Sequence, residues 1–171
     1  MKKLVLALSV IIFSASVTAQ DKPMASSKNV PHLGFGVDVG VPLGINHPIF
    51  NFVIGGDLQV DYKLADHLLA TASLGFDARL YKGGIVKTDY YVPLLGGLRY
   101  FVTNKIFLSE QAGYSFKATT TLQNAFTDVA GIGYKPTSKS DILVGYKGLF
   151  YSGGGATFST LAVRVAYNFG K

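Results

Sequence analysis

Cysteine and tryptophan are absent from this 171-residue chain, and charged residues make up only 15% of it. Without cysteine there is no disulfide framework, no thiolate zinc site, no thiol nucleophile and no lipid-bearing N-terminal cysteine. The charge content is well below the roughly 25% of an ordinary soluble domain. Disorder is excluded all the same, because 49% of residues are hydrophobic and 10 Tyr and 12 Phe accompany 20 Gly. A long hydrophobic run is also missing. The apolar stretch Leu4–Phe13 covers ten residues with one serine, half of the about 20 that a helix needs to span a bilayer.

That stretch follows Met1-Lys2-Lys3 and precedes Ser14–Ala19, with small residues at positions −3 and −1 of a cut after Ala19. Basic start, short apolar core and small-residue cleavage site together predict a secretory signal peptide over 1–19. Its removal leaves 152 residues and lowers the net charge from +6 to +4, since Lys2 and Lys3 go with it. Residues 20–31 are polar, carry two prolines and have no period, and read as a flexible periplasmic lead-in. The remainder, 32–171, reads as one domain.

In that domain apolar residues recur at every second position, the period of a β-strand. The last segment shows it most cleanly: Leu161, Val163, Val165, Tyr167 and Phe169 lie on one face, and Ala162, Arg164, Ala166, Asn168 and Gly170 on the other. The alternation predicts eight strands at 31–42, 52–63, 68–81, 89–101, 106–117, 125–135, 141–151 and 158–170, with no amphipathic helix after the signal. Glu110 and Asp128 fall off the pattern. Glu110 implies either a local bulge or a partner on another chain. Eight antiparallel strands with no helix to cover an edge predict closure into an up-and-down β-barrel, since closure alone removes edges.

Alternation fits two polarities, a soluble barrel with its apolar face inward and an outer-membrane barrel with that face outward. Four features favour the second. The polar face is rich in small residues with few charges, which suits a narrow filled lumen better than a water-facing surface. Aromatic residues gather at strand ends: Tyr62, Tyr100, Phe101, Phe107, Tyr134, Tyr167 and Phe169 at one, and Phe50, Phe52, Tyr81, Tyr90, Tyr91, Phe116, Phe150, Tyr151 and Phe158 at the other. Two such sets suggest interfacial girdles. A ten-residue strand tilted by about 40° rises about 26 Å, close to the apolar band of such barrels. Connections two, four and six are shorter than one, three, five and seven, as periplasmic turns are shorter than outer loops. The fold class expected is therefore all-β, an eight-stranded antiparallel transmembrane β-barrel in the outer membrane of a Gram-negative bacterium, with both termini periplasmic.

The stretch Tyr90–Phe116, YYVPLLGGLRYFVTNKIFLSEQAGYSF, resembles the outer-membrane β-barrel domain family that includes PorT-like proteins. Gly131-Ile132-Gly133-Tyr134 and Tyr167-Asn168-Phe169 are similar to that family's sixth and eighth strands. The resemblance implies an OmpX/OmpA-like barrel and no catalytic residues. The chain departs from the terminal aromatic that the assembly machinery usually reads, since Gly170 and Lys171 follow Phe169.

The inward face carries Asp38, Asp57, Asp61, Lys63, Asp77, Arg79, Arg99, Lys117, Lys135, Asp141, Lys147 and Arg164. Lone buried charges are costly, so these must pair. Strands one and eight become neighbours on closure, which predicts an Asp38–Arg164 pair with Asp57, Asp61 and Arg99 lower in the lumen, and Asp77 and Arg79 completing the network. Its role is structural. His32, His47 and His67 are too scattered to form one catalytic constellation. A lipid A hydrolase would need an outward histidine beside Ser159, and a lipid A acyltransferase an apolar luminal slot, so no enzyme, cofactor or metal is expected. Basic residues form no cluster, which argues against nucleic acid. Gly83-Gly84 and Gly153–Gly155 precede no helix and cradle no phosphate. The expected role is a non-enzymatic envelope protein in contact with outer-membrane lipid, surface glycolipid, or envelope or secretion proteins. The alternatives are a secreted soluble barrel holding a small apolar ligand, and an enzyme acting on lipid A.

Overall fold

The computed structural model describes residues 30–44, 49–82, 88–118, 123–151 and 157–169. The expected signal peptide, most of the lead-in, the Gly83-Gly84 and Gly153–Gly155 loops, His47, Gly170 and Lys171 lie outside the described residues. Eight strands follow one another: β1 (His32–Leu43), β2 (Phe50–Ala65), β3 (Leu68–Tyr81), β4 (Thr88–Phe101), β5 (Ile106–Lys117), β6 (Ala125–Tyr134), β7 (Ser140–Tyr151) and β8 (Phe158–Asn168). Each pairs antiparallel with its sequence neighbour, and β1 closes on β8, from Gly34 opposite Asn168 to Leu43 opposite Ser159. The fold is a closed eight-stranded barrel, and no strand edge is left open.

Three short connections lie at the end where β1 begins and β8 ends, here the turn end. Two of them use the same device. Thr103 Oγ1 accepts hydrogen bonds from the Lys105 and Ile106 amides (3.2 and 3.0 Å), and Thr137 Oγ1 accepts from Lys139 and Ser140 (3.2 and 3.0 Å). These threonines do for each turn what a backbone carbonyl would otherwise do. In the third, Lys63 pairs with Asp66 at 2.9 Å. The other connections, at the loop end, are six or seven residues long.

The faces separate as the alternation predicts. Val37, Leu58, Leu74 and Val163 are 47–52% exposed on the outside, whereas Asp61, Asp77 and Arg99 are 3–6% exposed within. The hydrophobic face is therefore the outer one on every strand.

The aromatic girdles need correction. Phe50, Tyr91 and Phe158 at the loop end, and Phe101 and Phe107 at the turn end, point inward and are buried. Phe50, Val53, Tyr91, Ala125, Leu149 and Phe158 form one apolar plug, with Tyr81 and Tyr151 packed against it. Phe101, Phe107 and Leu143 form the other, against Leu69. On β2 the cause is local: pairing with β3 slips between Phe50 and Phe52, so Phe50 and Val53 both face in. More generally, an eight-stranded lumen is just wide enough for side chains to fill, and large rings close its mouths. Outward aromatics do ring both ends. Phe76 stacks on Tyr90, and across β5–β7 at the loop end Tyr114 meets Phe126 edge to face while Phe126 and Phe150 are tilted at 42°. Tyr62, Tyr134 and Tyr167 are exposed at the turn end.

Candidate functional site: the luminal charge network

Between the plugs the inward positions of all eight strands converge on a cavity of about 70 Å³, lined among others by Asp38, Asp57, Asp77, Arg99, Lys147 and Arg164. That is room for a few ordered waters among polar walls.

Arg99 of β4 is buried and meets three side chains. Its Nη1 donates to Asp61 at 3.2 Å and to Asp141 at 3.3 Å, and its Nη2 donates to Gln59 at 3.1 Å. Asp141, fully buried at the start of β7, also accepts from Arg164 at 3.4 Å and from Asn168 at 3.1 Å. It thus joins the two arginines. Sequence reasoning placed Asp141 on the inward face but not at this junction, because the junction depends on the register of three strands. Neutral polar pairs line other parts of the lumen: Gln111 donates to Thr71 at 2.8 Å, and Ser115 shares a hydrogen bond with Thr127 at 2.6 Å.

The expected Asp38–Arg164 pair does not form, although the two residues are opposite each other in the β1–β8 register. Arg164 instead grips Asp57 with two hydrogen bonds of 2.7 Å, Nε to one carboxylate oxygen and Nη2 to the other. A two-pronged arginine–carboxylate contact is stronger than a single one. The reason lies at Gly36, between them on β1. The guanidinium lies where a side chain would be, and a Cβ built on Gly36 would stand 2.5 Å from its atoms. Glycine there lets Arg164 reach across β1 to β2. Gly36→Leu is expected to push Arg164 off Asp57 and lower unfolding stability by about 1–3 kcal/mol, read from urea titrations of the folded barrel. Asp38 and Asp77 come together over Gly55, and Asp77 is held by Lys147.

Arg79 departs from the expectation that luminal charges pair with opposite charges. Among the described residues no carboxylate lies within ion-pair distance of it. It is sandwiched by the rings of Tyr91 (4.1 Å) and Phe158 (3.9 Å) and donates to the Tyr151 hydroxyl at 2.6 Å. Ring faces carry negative charge density and so stabilise a desolvated guanidinium. Nearby, the Tyr81 hydroxyl donates to Asp89 at 2.8 Å. At the turn end Lys135 sits over the Phe101 ring at 5.8 Å. Burial pushes its ammonium below the usual lysine range, with Asp141 pulling the other way.

Gly133 is the counterpart of Gly36 in the turn-end plug. The Phe107 ring fills the space a side chain there would occupy. Gly133→Leu is expected to expel that ring and raise the fluorescence of an apolar dye that binds opened cores.

His67 lies beside Tyr100 at 6.5 Å between ring centres, and His32 opens β1. Ser159 shares a hydrogen bond with the Tyr146 hydroxyl at 2.6 Å on the outer face. Among the described residues no group of three histidines or acids is placed to hold a metal ion. The site is a set of interlocked ion pairs that fills a tube.

Known structures share this fold. Over 81% of the chain and 97% of the other protein, the barrel resembles Ail, the attachment invasion locus protein of Yersinia pestis, with a TM-score of 0.60 at 12% identity. The N-terminal β-barrel domain of Pseudomonas aeruginosa OprF gives a TM-score of 0.55 at 13% identity, covering 80% of this chain and 97% of that one. Neisserial surface protein A gives 0.52 at 10% identity, covering 81% and 97%. No protein-family model and no curated protein matches the chain. The likeness establishes the eight-stranded barrel fold.

Proposed function

We propose that the protein is a non-enzymatic outer-membrane barrel of a Gram-negative bacterium, exported by its N-terminal signal, with both termini in the periplasm. It acts at the envelope through its loop-end rim, on surface glycolipid or on envelope or secretion proteins. The observation that carries this is the polarity of the wall. Apart from Glu110 and Asp128, the charged side chains of the strands keep off the outer face, which is apolar, and the acids and arginines of the lumen are turned inward. Water would disfavour that outer face, while acyl chains accept it. A soluble carrier of an apolar ligand would need the reverse, a hydrophobic lumen, and this lumen is charged.

Loop-end connections of six or seven residues suit contacts made by the rim rather than by a large receptor domain. Ail, an outer-membrane protein of the same fold, has been seen with a heparin analogue, sucrose octasulfate. A polyanionic surface sugar is therefore one class of contact to test here. The PorT-like resemblance points to a secretion assembly as another.

Fractionation tests the reading. The protein is expected in outer membranes, soluble only with detergent, and faster on gels before boiling than after. Plugs at both mouths predict no steady large conductance in planar bilayers. Recovery from periplasmic or culture fluid without detergent would overturn the proposal.

A further inference from the structure

Two side chains interrupt the apolar outer face. Glu110 on β5 and Asp128 on β6 both stand at outward positions. The register runs unbroken through them, Glu110 opposite Leu98 and Ala130, and Asp128 opposite Ala112 and Gly148. The bulge that the sequence allowed at Glu110 is thus absent, and neither side chain is turned inward. The two acids occupy opposite corners of a four-residue square whose other corners are Ala112 and Ala130. Such diagonal neighbours lie within about 7–8 Å of each other. Glu110 sits two residues from Leu108 on one side and four from the exposed Tyr114 on the other, well inside the apolar height of β5.

Carboxylates facing acyl chains are costly, and intramembrane acids ordinarily meet a partner. Among the described residues neither acid forms an ion pair within the barrel. The outward positions of the eight described strands hold no lysine, arginine or histidine. A second copy of this face would therefore bring two more acids and no counter-charge. Small exposed residues around the square, Gly96, Ala112 and Ala130, allow a neighbouring backbone to come close.

We propose that the β4–β6 outer face docks a different membrane-spanning protein, one that presents a lysine or arginine at this depth. The proposal rests on the membrane reading above. Complementary charge identifies the partner: its cation meets Glu110 and Asp128, and the small residues set the spacing.

The absence of cysteine allows a single fluorescent label at Asn104→Cys, in the exposed β4–β5 turn. The labelled full-length chain is reconstituted in phosphatidylcholine vesicles with a leucine–alanine transmembrane peptide of about 20 residues carrying one central arginine. A second peptide has glutamine at that position. Energy transfer should show the arginine peptide associating at least about tenfold more tightly. In E110Q/D128N that preference should disappear while the glutamine peptide binds as before. Equal affinities for the unmodified face, or a preference that survives E110Q/D128N, would overturn the proposal. So would efficient crosslinking of two copies through Ala112→Cys with no preference for the arginine peptide, which would assign the face to self-association. A barrel that does not float with the vesicles fails the membrane reading before any peptide is added. One that inserts but shows no preference fails only the docking proposal.

Discussion

Arg99→Met should lower the unfolding free energy by about 3–5 kcal/mol, the usual cost of removing one partner from a buried ion pair. Arg99 is 3% exposed and Asp61 6%. Without the guanidinium, Asp61 loses its ion pair and keeps only the Gln59 amide. Asp141 retains Arg164 and Asn168. The penalty therefore falls mainly on Asp61, and this gives a second variant its meaning. R99M/D61N removes the stranded charge and should recover most of the loss, because replacing a whole buried pair is often nearly neutral. Urea titrations of both single variants and the double one, closed as a thermodynamic cycle, measure the coupling directly. Additive losses would mean that Arg99 and Asp61 do not act as a pair.

Val163→Arg tests the wall rather than the lumen. Val163 lies midway along β8, facing out between Val39 of β1 and Val144 of β7. An arginine at the midplane of a barrel's lipid face costs about 2–4 kcal/mol. On a water-facing surface the same change would fall within about 0.5 kcal/mol of zero. Unfolding in vesicles should show the larger figure. Ser140→Arg, near the turn-end rim, should cost far less, since the penalty fades toward the interface. Equal small effects at both positions would place water outside β8.

The strands were legible because one periodicity governs them. Each wall residue meets either the surroundings or the lumen, so alternation reports strand, phase and polarity together. Their limits agree with the sequence to within a few residues; β2 is extended at both ends, to Phe50 and Ala65. Legibility ended where the phase breaks or where contact depends on registers across several strands. The slip near Asn51 turns Phe50 inward, and nothing in the local pattern marks it. Tyr91, Phe101, Phe107 and Phe158 occupy inward positions by parity, but their aromatic character at strand ends suggested a membrane interface. Asp38 and Arg164 were rightly placed opposite each other. Their pairing failed because side chains of this length reach past one strand, and Gly36 leaves the path open to Asp57. Charge type was also a poor guide at Arg79, whose partners are rings.

Chemical access to the wall tests the polarity most directly. With no native cysteine, single cysteines at Val39, Leu58 and Val163 on the outer face and at Ser73 within the lumen can be compared with one at the exposed Asn104. In vesicles the three wall positions should resist a charged maleimide and carry fluorophores that brominated lipids quench. The luminal cysteine should resist the same reagent without lipid quenching, and Asn104→Cys should react rapidly. Fast labelling of Val39, Leu58 and Val163 by the charged reagent, with no quenching by lipid, would contradict the account.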